Sequence, residues 1–417
     1  MNRHLVLVPG FGGFDALGTL RYYEGVTRVL EHVPLVLHYF PNLPTASVST
    51  RAEQLLAFLD ERWKRKEIRA GDEIHLVGHS TGGLDLRQLL LRYRELERAP
   101  GPRREDSALK VLGRIRSVQF LSTPQRGTNL VCRMSQPLAR ALLIRPLLRA
   151  CYESVRGLRE HGTSACGRLL RHVFFRGQRV ESANWIDALL DTLESCYSLE
   201  GAHPSALARV EYFDLLCWLL QMVSDASALS DLSPVRLGDA PPSPAHVDDP
   251  REERRFLDEH GIRYASIVTV ARPRSGRWFD LFNRLYALTA ESPEPRLGQP
   301  QAVRELLEPR TVRRLSPADN DGLVNTVSQV WPDAASCHLV DADHADVIGH
   351  FQAGTRVDTH GAFKRYDLLN STSDFDALSF AELWTRIASF VEGRAYDERG
   401  PSPRHPHVPS FPDEVHP

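Results

Sequence analysis

One short run constrains this chain more than any other: Glu73-Ile-His-Leu-Val-Gly78-His79-Ser80-Thr81-Gly82. A β-rich apolar segment enters a turn bounded by glycines. Leu84, Leu86, Leu89, Leu90 and Tyr93 then give an apolar-periodic helix immediately after it. Gly-x-Ser-x-Gly between a strand and a helix is the turn that lifts a serine hydroxyl into the open at the end of the strand. The glycines are required because strand and helix approach too closely there for side chains. Ser80 is therefore the candidate nucleophile, with an ordinary strand-to-helix turn as the competing reading.

Around this run, β-rich apolar segments alternate with helical patterns, which predicts βαβ units and a mostly parallel sheet flanked by helices. Residues 5–8 read as a strand buried on both faces, followed by a helix over 22–31 and a strand over 35–39. A helix over 50–66 is expected to open with a capping box of Thr50 and Glu53, and a strand follows at 117–122. The alternation then stops. Residues 129–261 are helical in pattern and read as a cap or lid inserted into the core, with a proline-rich loop over 239–250. Strands resume at 264–271 and 336–340. The last helix, with Ser379 and Glu382 as its capping box, turns Phe380, Leu383, Trp384, Ile387, Phe390 and Val391 to one face. The expected organisation is a core of 1–128 and 262–397, a helical insertion of 129–261, and a disordered proline-rich tail over 398–417, where His405, His407 and His416 read as adventitious metal binders at most.

With 417 residues, 42% hydrophobic and 25% charged, the chain has ample material for a core. A formal net charge of −2 leaves no electrostatic footprint for nucleic acid or an anionic membrane, so neither is an expected partner. The apolar run at 5–8 is far shorter than the roughly 7–15 residues of an export signal, so a cytoplasmic location is expected. The longest apolar stretch, 215–223, is interrupted by Gln221 and flanked by Asp214 and Asp225, against roughly 20 residues needed to span a bilayer. Six cysteines at 132, 151, 166, 196, 217 and 337 show neither CxxC nor metal spacing and read as free thiols.

A serine nucleophile needs a base, and the base needs an acid to fix its tautomer. The second half offers Asp319 and Asp321 in Asp319-Asn-Asp321-Gly322-Leu-Val, and Asp341-Ala-Asp343-His344-Ala-Asp346 after the last strand. His344 follows a strand directly on a short loop; His350 and His360 are its rivals.

At these residues the chain resembles the bacterial lipase and esterase family of the α/β-hydrolase superfamily. The resemblance is carried by Val8-Pro9-Gly10-Phe11-Gly12-Gly13, Gly78-His79-Ser80-Thr81-Gly82-Gly83, Ser122-Thr123-Pro124-Gln-Arg126-Gly127-Thr128, Asp231-Leu-Ser-Pro234, Asn320-Asp321-Gly322-Leu323-Val324 and Asp343-His344 with Ile348-Gly349. It implies an α/β-hydrolase fold, a triad of Ser80, Asp321 and His344, and an oxyanion hole of the Phe11 and Thr81 backbone N–H groups. Some members carry a zinc held partly by the aspartate equivalent to Asp231. Their other ligands come from an insertion absent between Phe40 and Thr50, so no zinc is expected. A structural calcium beside the histidine would take Asp346 as a ligand, but Phe351 or His350 stands where another oxygen is needed. No cofactor is expected.

The function so implied is hydrolysis of carboxylic esters, with lipid-like acyl esters favoured by the apolar insertion. An acyltransferase using the same triad and a non-catalytic lipid-binding protein are the alternatives. Nothing in the sequence indicates an oligomeric state.

Overall fold

The computed structural model describes residues 1–13, 16–17, 20–99, 107–134, 227–234, 244–246, 250–273, 281–290, 316, 318–351, 367–369 and 371–395. The expected tail, His360, the 215–223 segment and four of the cysteines (151, 166, 196 and 217) lie outside these residues, as does most of the expected insertion.

Strands buried on both faces form the middle of a parallel sheet, because helices on each side exclude water from both. β1 (Arg3–Val8), β5 (Glu73–His79), β6 (Ile115–Leu121) and β7 (Arg263–Val270) are of this kind. β4 (Val36–Tyr39) and β8 (Cys337–Asp341), whose residues are more open, are the edges. The order is β4-β1-β5-β6-β7-β8, and every pairing is parallel. β2 (Ala16–Leu17) and β3 (Leu20–Arg21) form a separate antiparallel ribbon.

The period of two along each strand divides the core into two layers. Val6, Val8, Ile74, Leu76, Val118 and Phe120 face α2 (Val48–Lys64), α3 (Thr81–Arg98) and α4 (Ser107–Leu112). Leu5, Leu7, Val77, Leu121, Ala265 and Ile267 share the other layer with residues from α1 (Val26–Val29) and from the last helix of the chain. Between them in sequence come α5 (Asn129–Met134), α6 (Ser227–Asp231), α7 (Arg251–Glu259) and α8 (Leu281–Ala290). The last helix is α9 (Ala377–Val391), and the face read from its sequence is the one it buries. α7 falls inside the range expected for the insertion, yet its Phe256 and Leu257 pack into the layer of α2 and α3.

Three local expectations need correction. α2 starts at Val48 with Ser47 as N-cap, its hydroxyl accepting from Thr50 N, so Thr50 is not the cap. α9 likewise starts at Ala377, with Asp376 accepting from Ser379 N at 2.8 Å. In both cases a second capping residue stands three positions upstream of the first, and the helix runs back to it because the residues between are compatible with a helix. The expected helix over 22–31 shrinks to Val26–Val29, because Gly25 caps it in a left-handed conformation at φ 76° and Tyr22 and Tyr23 are held by other contacts.

The chain leaves β1 toward β4 on one side and returns to β5 on the other. β1 and β5 are therefore the topological switch point, and the crevice beyond their carboxyl ends is where ligands bind in such sheets. The loop after β1 holds Gly10 and Phe11, and the turn after β5 holds Ser80.

Candidate active site

Ser80 has φ 54° and ψ −129°, a conformation in which a non-glycine residue is strained. The strain is held by packing that leaves no alternative. A side chain at Gly78 would sit 2.6 Å from the Gly82 backbone, one at Gly82 would collide with Val8 O, and one at Gly83 with Thr123. Ser80 N donates to Leu121 O at 2.8 Å, which ties the turn to β6. A Cβ on Gly10 would come within 2.5 Å of Ser80 Cβ, so the loop after β1 lies directly against the serine. Ser80 is 8% exposed.

Of the two acid candidates, Asp321 meets the histidine: His344 Nδ1 is 2.8 Å from Asp321 Oδ2. Asp321 Oδ2 also accepts from Thr269 Oγ1 at 2.7 Å and Gln329 Nε2 at 3.2 Å. Its Oδ1 accepts from the Leu323 and Val324 N–H groups at 3.0 and 2.8 Å. A carboxylate so fully hydrogen-bonded is held in one orientation. The tight turn beyond it depends on Gly322, at φ 99°. Asp319 is engaged elsewhere, accepting from Ser316 N at 2.6 Å and from Tyr286 Oη at 3.4 Å. His350 is also set aside: it is buried, with Nε2 3.2 Å from Tyr22 O.

His344 is fixed at both backbone ends. Its N–H donates to Asp321 O at 3.0 Å, and its carbonyl is 2.9 Å from His79 Nε2. The His79 and His344 rings lie 4.7 Å apart, which brings the histidine's loop onto the residue preceding Ser80. The N–H groups of Phe11 and Thr81 make no hydrogen bond among the described residues, although Thr81 is buried. Buried N–H groups are rarely left unpaired, so the Thr81 N–H is the stronger of the two candidate donors, Phe11 being half-buried.

Beneath the turn, Arg51 and Asp85 are both wholly buried and paired, and Arg51 Nη2 donates to Thr81 Oγ1 at 2.7 Å. Sequence reading passed over this pair. Its signal was a charge on the apolar face of each helix, at i−4 from Leu55 and from Leu89. Thr269, Gln329 and Tyr22 left no comparable signal.

Behind His344, one carboxylate oxygen from each of Asp343, Asp346 and Asp367 lies within 4.8 Å of the others, all three residues being buried. Among the described residues Asp343 Oδ2 accepts no hydrogen bond within normal distance. Burial pushes the Asp343 carboxyl up to about 6, and burial with the charge of Asp343 pushes Asp346 up as well. Such a donor set suits a hard divalent cation. From sequence, Asp346 stood alone; the fold adds the other two.

Six parallel strands ordered around a switch point, a strained serine between the third of them and its helix, and an acid and a histidine following in that order define the α/β-hydrolase fold, and this chain has it. No protein-family model matches the sequence, and no curated sequence matches it. Among solved structures, the chain is similar to the metagenomic carboxyl esterase MGS0156, with 16% identity over 94% of this chain and 76% of that one and a TM-score of 0.42. It is similar to Staphylococcus hyicus lipase at 14% identity over 94% and 96% of the two chains, with a TM-score of 0.47. Lipase 1 from Pelosinus fermentans matches at 17% over 84% and 94%, with a TM-score of 0.42. Likenesses this loose carry no argument about activity, and the fold assignment rests on the chain's own topology. Among the described residues no helix is long and apolar enough to cross a membrane.

Proposed function

We propose that this protein is a serine hydrolase of carboxylic esters, acting on lipid-like acyl esters through an acyl-enzyme. The observation that carries the reading is the 2.8 Å contact of His344 Nδ1 with a fully hydrogen-bonded Asp321, on a loop packed against the residue before a strained Ser80. Asp321 holds the proton of His344 on Nδ1, which leaves Nε2 as a base. His344 Nε2 takes the Ser80 hydroxyl proton as Oγ attacks the ester carbonyl carbon. The resulting oxyanion is received by the Phe11 and Thr81 N–H groups, each such donor being worth about 10²- to 10³-fold in rate. The imidazolium gives its proton to the departing alkoxide, and the Ser80 ester remains. Water, deprotonated by the same nitrogen, then releases the acid and restores Ser80.

These steps draw on no cofactor. A divalent cation held by Asp343, Asp346 and Asp367 would supply charge neutralisation beside the His344 loop and no chemistry. Release of 4-nitrophenol from esters of rising acyl length tests the reading, with Ser80→Ala and His344→Ala as controls. Turnover lost in both variants is the expected result, and the length profile separates esterase from lipase. Turnover that survives Ser80→Ala, or none in the folded native chain, overturns it.

A further inference from the structure

Behind the reacting groups runs a chain of hydrogen bonds that the triad does not require. Gly10 N–H donates to Tyr22 Oη at 2.7 Å, Tyr22 Oη lies 2.7 Å from His79 Nδ1, and His79 Nε2 lies 2.9 Å from the His344 carbonyl. The two ends decide where every proton is. A backbone N–H can only donate, and a backbone carbonyl can only accept. The His344 carbonyl therefore accepts from His79 Nε2–H, which leaves Nδ1 of the neutral ring as an acceptor, and the Tyr22 hydroxyl, itself accepting from Gly10, gives its hydrogen to Nδ1. Tyr22 and His79 are both buried.

The chain joins the three loops that the reaction needs in register. Gly10 precedes the oxyanion donor Phe11, His79 precedes Ser80, and the accepting carbonyl belongs to His344. We propose that Tyr22 and His79 are positioning residues whose directional hydrogen bonds hold the oxyanion loop, the Ser80 turn and the His344 loop at fixed separation. Burial raises the Tyr22 hydroxyl far above its ordinary value, which keeps it a donor, and burial holds His79 well below the ordinary histidine range, which keeps it neutral. Tyr22→Phe leaves two buried polar groups, Gly10 N–H and His79 Nδ1, without partners while removing a single oxygen. Displacing groups in register by about 1 Å is enough to cost about 10²-fold in rate.

The inference rests on the serine-hydrolase reading, and the experiment keeps the two apart. Histidine-selective ¹⁵N NMR of the native chain reports the His79 tautomer whether or not the protein has activity, with His79→Gln used to assign its signals. In parallel, kcat and KM for a 4-nitrophenyl ester and the rate of fluorophosphonate labelling of Ser80 are measured for the native chain, Tyr22→Phe, His79→Leu and His79→Gln. Expected are a neutral His79 with its hydrogen on Nε2, and in Tyr22→Phe a kcat lowered about 10- to 100-fold with KM little changed. His79→Gln, which keeps an N–H donor near the ε position, recovers most of what His79→Leu loses. A hydrogen on Nδ1 in the native chain overturns the proposal, as does a folded Tyr22→Phe with native kcat and labelling rate. A native chain that neither turns over nor labels refutes the hydrolase reading instead, and with it the role proposed for these two residues.

Discussion

Arg51 and Asp85 form an ion pair with no exposed side-chain surface on either partner, Arg51 Nε lying 3.0 Å from both carboxylate oxygens. Removing one partner of such a pair strands the other charge in the core, at a cost of about 3–5 kcal/mol. Asp85→Leu or Arg51→Met alone is expected to lower the free energy of unfolding in urea by that order. The double variant is expected to recover a large part of it, because an apolar pair leaves no charge behind. Equal losses in all three would show that the pair matters only for its volume.

Asp321 and Asp319 differ in their contacts far more than in sequence. In the Ser-His-Asp template, replacing the acid by its amide leaves the shape intact but puts the histidine in the wrong tautomer, at a cost of about 10⁴-fold in kcat. Asp321→Asn is expected to show a loss of that order with KM nearly unchanged. Asp319→Asn, which disturbs the Ser316 turn, is expected to keep catalysis and lose some stability. Steady-state kinetics on the two variants decides, and a larger kcat loss in Asp319→Asn would reassign the acid.

Two histidines away from the site set an acid limit on stability. Arg62 Nε donates to His38 Nδ1 at 3.3 Å, which directs His38 Nε2–H to His4 Nδ1 at 2.9 Å. Burial, then the charges of His4 and Arg62, lower His38 to about 4. Burial, followed by Arg263 and Arg3, lowers His75 to about 3. Both folded values lie below the unfolded histidine value near 6.5, so the unfolded chain binds more protons as pH falls. Their contribution is complete above about 6.5 and drains away toward about 4 for His38 and about 3 for His75, by at most about 1.4 kcal/mol per pH unit for each group. Over the same window the raised Asp343 and Asp346 act in the opposite direction, so urea unfolding at about pH 7 and about pH 4.5 should show His75→Gln losing less stability on acidification than the native chain, and equal changes in the two would contradict the His75 shift.

The three buried carboxylates beside His344 predict a response to calcium. A ligand that binds only the folded state at 100 times its Kd adds about 2.7 kcal/mol of stability. Calcium is expected to raise the melting temperature of the native chain and not that of Asp346→Asn, and a chelator to lower it. A melting temperature indifferent to both would mean that Asp343 and Asp346 are kept neutral by protons instead.

Elements whose causes are local were legible in the order of residues. The Gly78 to Gly83 run demands a strained serine between strand and helix within six residues, and the structure has φ 54° at Ser80. The α9 face was equally readable, since its spacing repeats over four turns. Helix starts were less so, because Ser47 and Thr50, or Asp376 and Ser379, satisfy the same local rule three residues apart.

Tertiary structure alone decided between Asp319 and Asp321, which share a residue type and a flanking Asn320. What separates them is the approach of Thr269, Gln329 and His344 from other parts of the chain. The Tyr22–His79 bond spans 57 positions and the His79–His344 bond 265, and neither leaves a periodicity or motif behind. A hydrogen bond between distant segments depends on where the sheet order sets their loops, and that order follows from burying both layers of the core at once.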